Sequence, residues 1–191
     1  IADASSVILS EPLDVNKFSL IYAGAQKNIG PAGLTIIIID RDFMEYGNPN
    51  IPNILKYSEH SLSESMLNTP PTFAWYMAGK VFKWIKDSGG LDYFKTQNHK
   101  KASKLYEFID NSSFYSNNVD SVNRSIMNVP FLLANDDLDK TFLSEAEDNE
   151  LINLKGHRSV GGMRASIYNA MPLEGVEELI KFMEHFESTY G

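Results

Sequence analysis

Lys27 lies in the run Tyr22-Ala-Gly-Ala-Gln26-Lys27-Asn-Ile-Gly-Pro-Ala-Gly33, where an apolar stretch gives way to a turn of small residues. A free lysine amine has a pKa of about 10.4 and is a weak nucleophile at neutral pH. Burial or a neighbouring cation depresses that value, and a depressed amine forms a Schiff base with an aldehyde. Two readings stay open from position alone: a solvated surface lysine, or the amine that holds a carbonyl cofactor. Asp3 ends another short apolar stretch, and two neighbouring strands could bring it to the same sheet edge as Lys27. A lysine for an aldehyde and a carboxylate for a pyridinium nitrogen are the pair that pyridoxal phosphate (PLP) requires. The plainer reading of Asp3 is a cap or turn before Ser5 and Ser6.

Two further groups carry chemistry. Asn68-Thr69 stands before Pro70-Pro71, so an amide and a hydroxyl sit on a rigid turn. They suit a phosphate without adding charge, or simply form the turn. Gly156-His157-Arg158-Ser-Val-Gly161-Gly162-Met-Arg164 gathers two arginines and a histidine in glycine-rich backbone. Arginine grips carboxylate and phosphate through paired N–H groups, so this segment reads as an anion site or as arginines paired with surface acids. His60, His99 and His185 have no metal-ligand spacing.

The elements that must hold these residues follow from pattern. Residues 18–23 read as a strand. Residues 34–40 are almost continuously β-branched, which predicts a strand buried on both faces within a largely parallel sheet. Residues 47–58, rich in Gly, Pro and Asn, predict an irregular loop. Thr72 is a candidate N-cap, and apolar residues on nearly every side of 73–86 predict a well-buried helix that Gly89-Gly90 ends. A second helix is expected over 91–110, with Leu91, Phe94, Leu105, Phe108 and Ile109 as its stripe and lysines opposite. Strand character over 125–134 carries Val129-Pro130, which suggests an edge or bulge. Residues 136–150 predict an acidic helix, 163–168 a strand and 173–186 a last amphipathic helix. The natural division is at Gly89-Gly90: residues 1–88 as sheet plus helix, and residues 89–191 as a small α+β domain.

Composition narrows the function classes. In 191 residues the hydrophobic share is 43% and the net charge is −8, with no basic run. A sizeable core is affordable, and neither a nucleic acid nor an anionic membrane is an expected partner. With no cysteine, thiol chemistry and disulfides are excluded, which suits a cytoplasmic protein. The longest apolar run is too short to cross a bilayer. The chain opens on Ile1 rather than Met, so it is expected to be the later part of a longer protein.

Taken together, the Lys27 run, Asn68-Thr-Pro-Pro-Thr-Phe-Ala-Trp75 and Gly156-His-Arg-x-x-Gly-Gly-Met-Arg164-Ala-Ser-Ile-Tyr-Asn-Ala170 closely resemble the phosphoserine aminotransferase family. That family belongs to the class V aminotransferase group, PLP enzymes of fold type I. The resemblance implies an α/β fold: the C-terminal part of the large PLP-binding domain over 1–88 and a small α+β C-terminal domain over 89–191. It implies that Lys27 carries PLP, with Gln26 by its phosphate region and Asp3 on its ring nitrogen. Asn68 and Thr69 would reach the cofactor phosphate of a neighbouring subunit, hence a homodimer with shared active sites. Arg164 would hold the substrate α-carboxylate, and His157 and Arg158 the substrate phosphate. The reaction implied exchanges an amino group between L-glutamate and 3-phosphohydroxypyruvate, giving 2-oxoglutarate and O-phospho-L-serine, for serine and in many bacteria pyridoxine biosynthesis. The alternatives are another class V enzyme, such as a desulfurase, or a catalytically silent folded domain that packs or dimerises through its sheet edges.

Overall fold

The computed structural model describes residues 1–191 and is a mixed α/β structure with two compact units, Ile1–Tyr93 and Phe94–Gly191. The first unit holds β1 (Ala2–Asp3), β2 (Leu20–Gly24), β3 (Thr35–Ile39), α1 (Arg41–Met44), α2 (Tyr57–Leu62) and α3 (Thr72–Asp87). Its sheet runs β1-β2-β3, with β1 parallel and β3 antiparallel to β2. The register places Asp3 beside Tyr22 and Gly24 beside Thr35. Ala4, Ile8, Ile21, Ala23, Ala25, Ile29 and Ala78 form a small core. Asp40 ends β3 because its carboxylate accepts from the amides of Asp42 and Phe43, capping α1.

Four expectations for this unit are corrected. Within these residues β3 is not buried on both faces: here it pairs with β2 alone, and Ile37 and Ile38 are 36% and 38% exposed. Nor is α3 well buried, since only Ala74, Ala78 and Ile85 are, while Phe73 and Tyr76 are 70% and 61% exposed. Its small residues make the contact and its aromatics face outward. Thr72 is the first helical residue rather than the cap, because the Trp75 amide donates to the Pro71 carbonyl. The stretch expected as irregular already contains a short 3₁₀ turn and the start of α2.

α4 (Gly90–Asn111) starts in the first unit and continues into the second. Gly89 and Gly90 have φ of 112° and 75°, the left-handed backbone that breaks α3 from α4. The second unit continues with β4 (Tyr115–Ser116), β5 (Asn128–Leu133), α5 (Asp139–Asp148), β6 (Met163–Ser166) and α6 (Leu173–Tyr190). The antiparallel order is β4-β5-β6. One face of the sheet meets α4, α5 and α6 through Leu105, Ile109, Phe131, Phe142, Met163, Met183 and Phe186. Phe142 stands edge-on to Phe182 and Phe186 with ring centroids 5.0 Å apart in both pairs.

Pro130 is on the central strand, not an edge or a bulge. It stands opposite Arg164, whose amide donates instead to Leu154, while the Pro130 carbonyl accepts from the Asn117 side chain. The position contributes no rung to the β5–β6 ladder, so the missing N–H costs nothing there. The acidic helix is shorter than expected: residues 136–138 form a 3₁₀ turn whose Asp137 amide is capped by Asn135.

Candidate functional site

The first cluster stands where parallel β1 and β2 end, the carboxyl edge at which open α/β sheets bind ligands. The Ala4 amide donates to the Tyr22 carbonyl at 2.8 Å, extending the β1–β2 pairing just past Asp3. Asp3 then turns back on the chain: its carboxylate accepts from the Ser5 amide at 2.9 Å. The Ser5 hydroxyl in turn accepts from the Gly24 amide at 3.0 Å, tying the Asp3 turn to the end of β2. Hydrogen bonds from the Ser5 hydroxyl and amide hold the Asp3 carboxyl below the usual carboxylate range, with the Tyr22 hydroxyl and the Lys27 charge adding to them. The same proximity of Asp3 pushes the Tyr22 phenol up.

Lys27 rides on a pinned turn. The amides of Ile29 and Gly30 both donate to Ala25, whose own amide bonds Leu34. Asn28 is buried, and its amide group donates to the Ile8 carbonyl at 3.1 Å. The lysine between Gln26 and Asn28 is half-buried on rigid backbone. Gln26 is exposed, its carboxamide folded back beside Gly24. Asn68 and Thr69, also exposed, stand before α3, and the Asn68 side chain donates to the Thr69 carbonyl at 3.0 Å. No hydrogen bond joins either of them to Asp3 or Lys27.

The second cluster belongs to the second unit. Lys155 bridges Met163, the Gly156 amide donates to Gly162 and the Arg164 amide to Leu154, so a tight hairpin projects residues 157–161. The hairpin needs its glycines. A Cβ on Gly156 would fall 2.1 Å from the Gly161 carbonyl oxygen, and Gly162, at φ 59°, has the Phe131 carbonyl 2.7 Å from its Cβ direction. His157 and Arg158 are exposed on this loop, and His157 Nδ1 accepts from the Ser159 amide. Neither Arg158 nor Arg164 is ion-paired. Arg164 is half-buried, and its Nε is buried with no hydrogen-bond partner. An unsatisfied buried donor of a charged group costs on the order of 1–3 kcal/mol, so the arrangement favours an anion there.

Three contributors are absent from the sequence reading. Ser5 and Tyr22 act on Asp3 through strand register, which the sequence does not display. Lys101 was expected opposite the apolar stripe of α4 but lies on its buried face with Phe94, Asn98, Ala102, Leu105 and Ile109. Its spacing from those residues was the available signal. No group of three or more His, Asp or Glu side chains is placed to hold a metal ion, and no helix is long and apolar enough to cross a membrane.

Residues 1–179 match the model of the aminotransferase class-V family. The phosphoserine aminotransferase of Acinetobacter baylyi is 59% identical over 191 residues, which is 100% of this chain and 53% of that protein. Among solved structures, the phosphoserine aminotransferase of Bacillus circulans subsp. alkalophilus superimposes with a TM-score of 0.95 at 48% identity, over 99% of this chain and 53% of that one. The PLP-bound phosphoserine aminotransferase of Trichomonas vaginalis gives a TM-score of 0.90 at 41% identity, over 95% of this chain and 52% of that one. The chain thus spans about half the length of the curated relatives it matches.

Proposed function

The chain belongs to the aminotransferase class-V family, and on that premise we propose that it supplies the PLP-anchoring half of a phosphoserine aminotransferase. The reaction is amino-group exchange between L-glutamate and 3-phosphohydroxypyruvate, giving 2-oxoglutarate and O-phospho-L-serine. Its setting is cytoplasmic serine biosynthesis, with pyridoxine biosynthesis as a second use. The observation that carries the reading is the Asp3 carboxylate, which accepts from the Ser5 amide at the β1–β2 edge that the Lys27 turn leaves.

The donor set fits the cofactor: a primary amine on a rigid turn and an anion fixed beside it. When bound, PLP supplies an aldehyde carbon for an amine and a ring that takes up the electron pair released at the substrate Cα. Lys27 Nζ would hold the group until the substrate amine displaces it, and the freed amine would take the proton from the substrate Cα. Asp3 would hold a proton on the ring nitrogen, for which an ionised carboxylate is required. Gln26, Asn68 and Thr69 are neutral donors for the cofactor phosphate, the last two serving the neighbouring subunit of a homodimer. Arg164 orients the α-carboxylate through its unsatisfied Nε–H and the rest of its guanidinium. His157 and Arg158, solvent-facing on the glycine hairpin, take the substrate phosphate across the same dimer.

The test uses the protein at the full length of its gene, loaded with PLP. Borohydride reduction followed by peptide mass spectrometry should find the cofactor on the peptide containing Lys27. The Lys27→Ala protein should carry none and lose transamination. Cofactor fixed to a different lysine overturns the assignment. Equal turnover of phosphorylated and unphosphorylated 2-oxo acids overturns the substrate.

A further inference from the structure

Lys101 is 2% exposed, and its ammonium has no carboxylate partner. Instead Nζ donates to three backbone carbonyls, Ile167 at 3.0 Å, Tyr168 at 2.8 Å and Met171 at 2.9 Å. Three N–H bonds are the full complement of an ammonium, and all three converge on the turn that follows β6. Asn98, one helical turn earlier on α4, donates to the Asn169 side chain in the same turn at 2.8 Å, and both residues are buried. Burying the amine desolvates a charge, and methionine in its place would leave three carbonyls of the turn without this donor, so the amine and the turn depend on each other.

The turn is continuous with the polar face of β6. Met163, Ala165 and Ile167 point into the core, so Arg164, Ser166 and Tyr168 share the opposite face. On that face the hydroxyls of Tyr168 and Ser166 both reach Asn128 Oδ1, at 3.0 and 3.4 Å. Tyr168 is therefore held twice, at its carbonyl by Lys101 and at its hydroxyl by β5. We propose that Lys101 is a positioning residue: through the Ile167–Met171 turn and Tyr168 it fixes the β6 face that presents Arg164 to a carboxylate. The inference rests on the reading of Arg164 as a carboxylate-binding group.

Lys101→Met and the milder Tyr168→Phe separate this role from a purely structural one. In the PLP-loaded, full-length enzyme, Lys101→Met should raise the KM for glutamate about tenfold while kcat stays within about threefold, as expected when an orienting contact loosens. Tyr168→Phe should raise KM by about threefold. The dissociation constant of glutarate, a dicarboxylate without an amino group, should move in parallel. Amide hydrogen exchange at residues 166–171 should quicken in Lys101→Met while that of the α6 core does not. A fall in kcat at constant KM marks simple loss of folded enzyme and overturns the proposal. If Lys101→Met does not fold, Tyr168→Phe decides: unchanged KM and glutarate binding overturn the proposal. A wild type that binds no glutarate removes the carboxylate role of Arg164, and this inference with it. A wild type that binds glutarate no better than both folded variants sinks this inference alone.

Discussion

Asp3 can hold a proton on a ring nitrogen only as an anion, and the Ser5 amide and hydroxyl move its titration further below the usual carboxylate range. Asp3→Asn preserves shape and removes the charge. In the full-length enzyme it should lower kcat by roughly a hundredfold, measured in steady-state transamination. The sign of its pH effect follows from the direction of its shift. A carboxyl held below its unfolded value stabilises the fold above that value, and the contribution is lost as acid protonates it. Urea titrations below pH 4 should therefore show a shallower acid loss in Asp3→Asn. Lys101 runs the other way. Burial pushes its amine down to about 8 from an unfolded 10.5, so between these values the unfolded chain holds more protons. Stability should rise with pH across that window, and the rise should vanish in Lys101→Met, read as the urea midpoint at pH 8 and pH 10. Both residues were visible in the sequence as types. Asp3 was legible because its chemistry pairs with Lys27, whereas Lys101 was set among the outward lysines because charge is ordinarily solvated.

Among the elements, the β6 hairpin depends most on residue identity. Gly162→Ala places a methyl against the Phe131 carbonyl and the Leu132 side chain, at a φ that L residues avoid. It should cost about 2–4 kcal/mol, seen as a lower midpoint in chemical denaturation. Gly161→Ala at φ 77°, with open space around its Cβ direction, should cost only the backbone strain of about 1–2 kcal/mol. The doublet was legible only as glycine-rich backbone, and the helical stripes of α4 and α6 were legible from their spacing. Pairing was not. Residues 34–40 read as apolar, but nothing in them says that β3 runs antiparallel to β2. Val129-Pro130 read as an edge because the sequence does not reveal which face of a strand carries ladder bonds. The aromatic count of α3 concealed that Ala74 and Ala78 are the residues that pack.

Across the whole molecule the two units are unlike in substance. The first has a core of mostly small residues around Ile8, Ile21 and Ile29, and leaves several aromatics of α3 in solvent. The second is built around Phe131, Phe142, Phe182 and Phe186. Phe142→Ala should accordingly lower the stability of the second unit by about 3–5 kcal/mol, measured by urea denaturation followed through hydrogen exchange at β5 and α6. The candidate chemistry is distributed over both: Asp3 and Lys27 in the first, Arg158 and Arg164 in the second. That distribution was legible from motif positions, while the register linking Asp3 to Tyr22 was not. Lys101, sealed by three carbonyls, also acts as a timekeeper. An acylating reagent reaches its amine only when the second unit opens, so at saturating reagent its labelling rate counts openings rather than nucleophilicity. Pulse-labelling this one amine would read the lifetime of the closed unit directly, against the solvated lysines of the same chain as an internal reference.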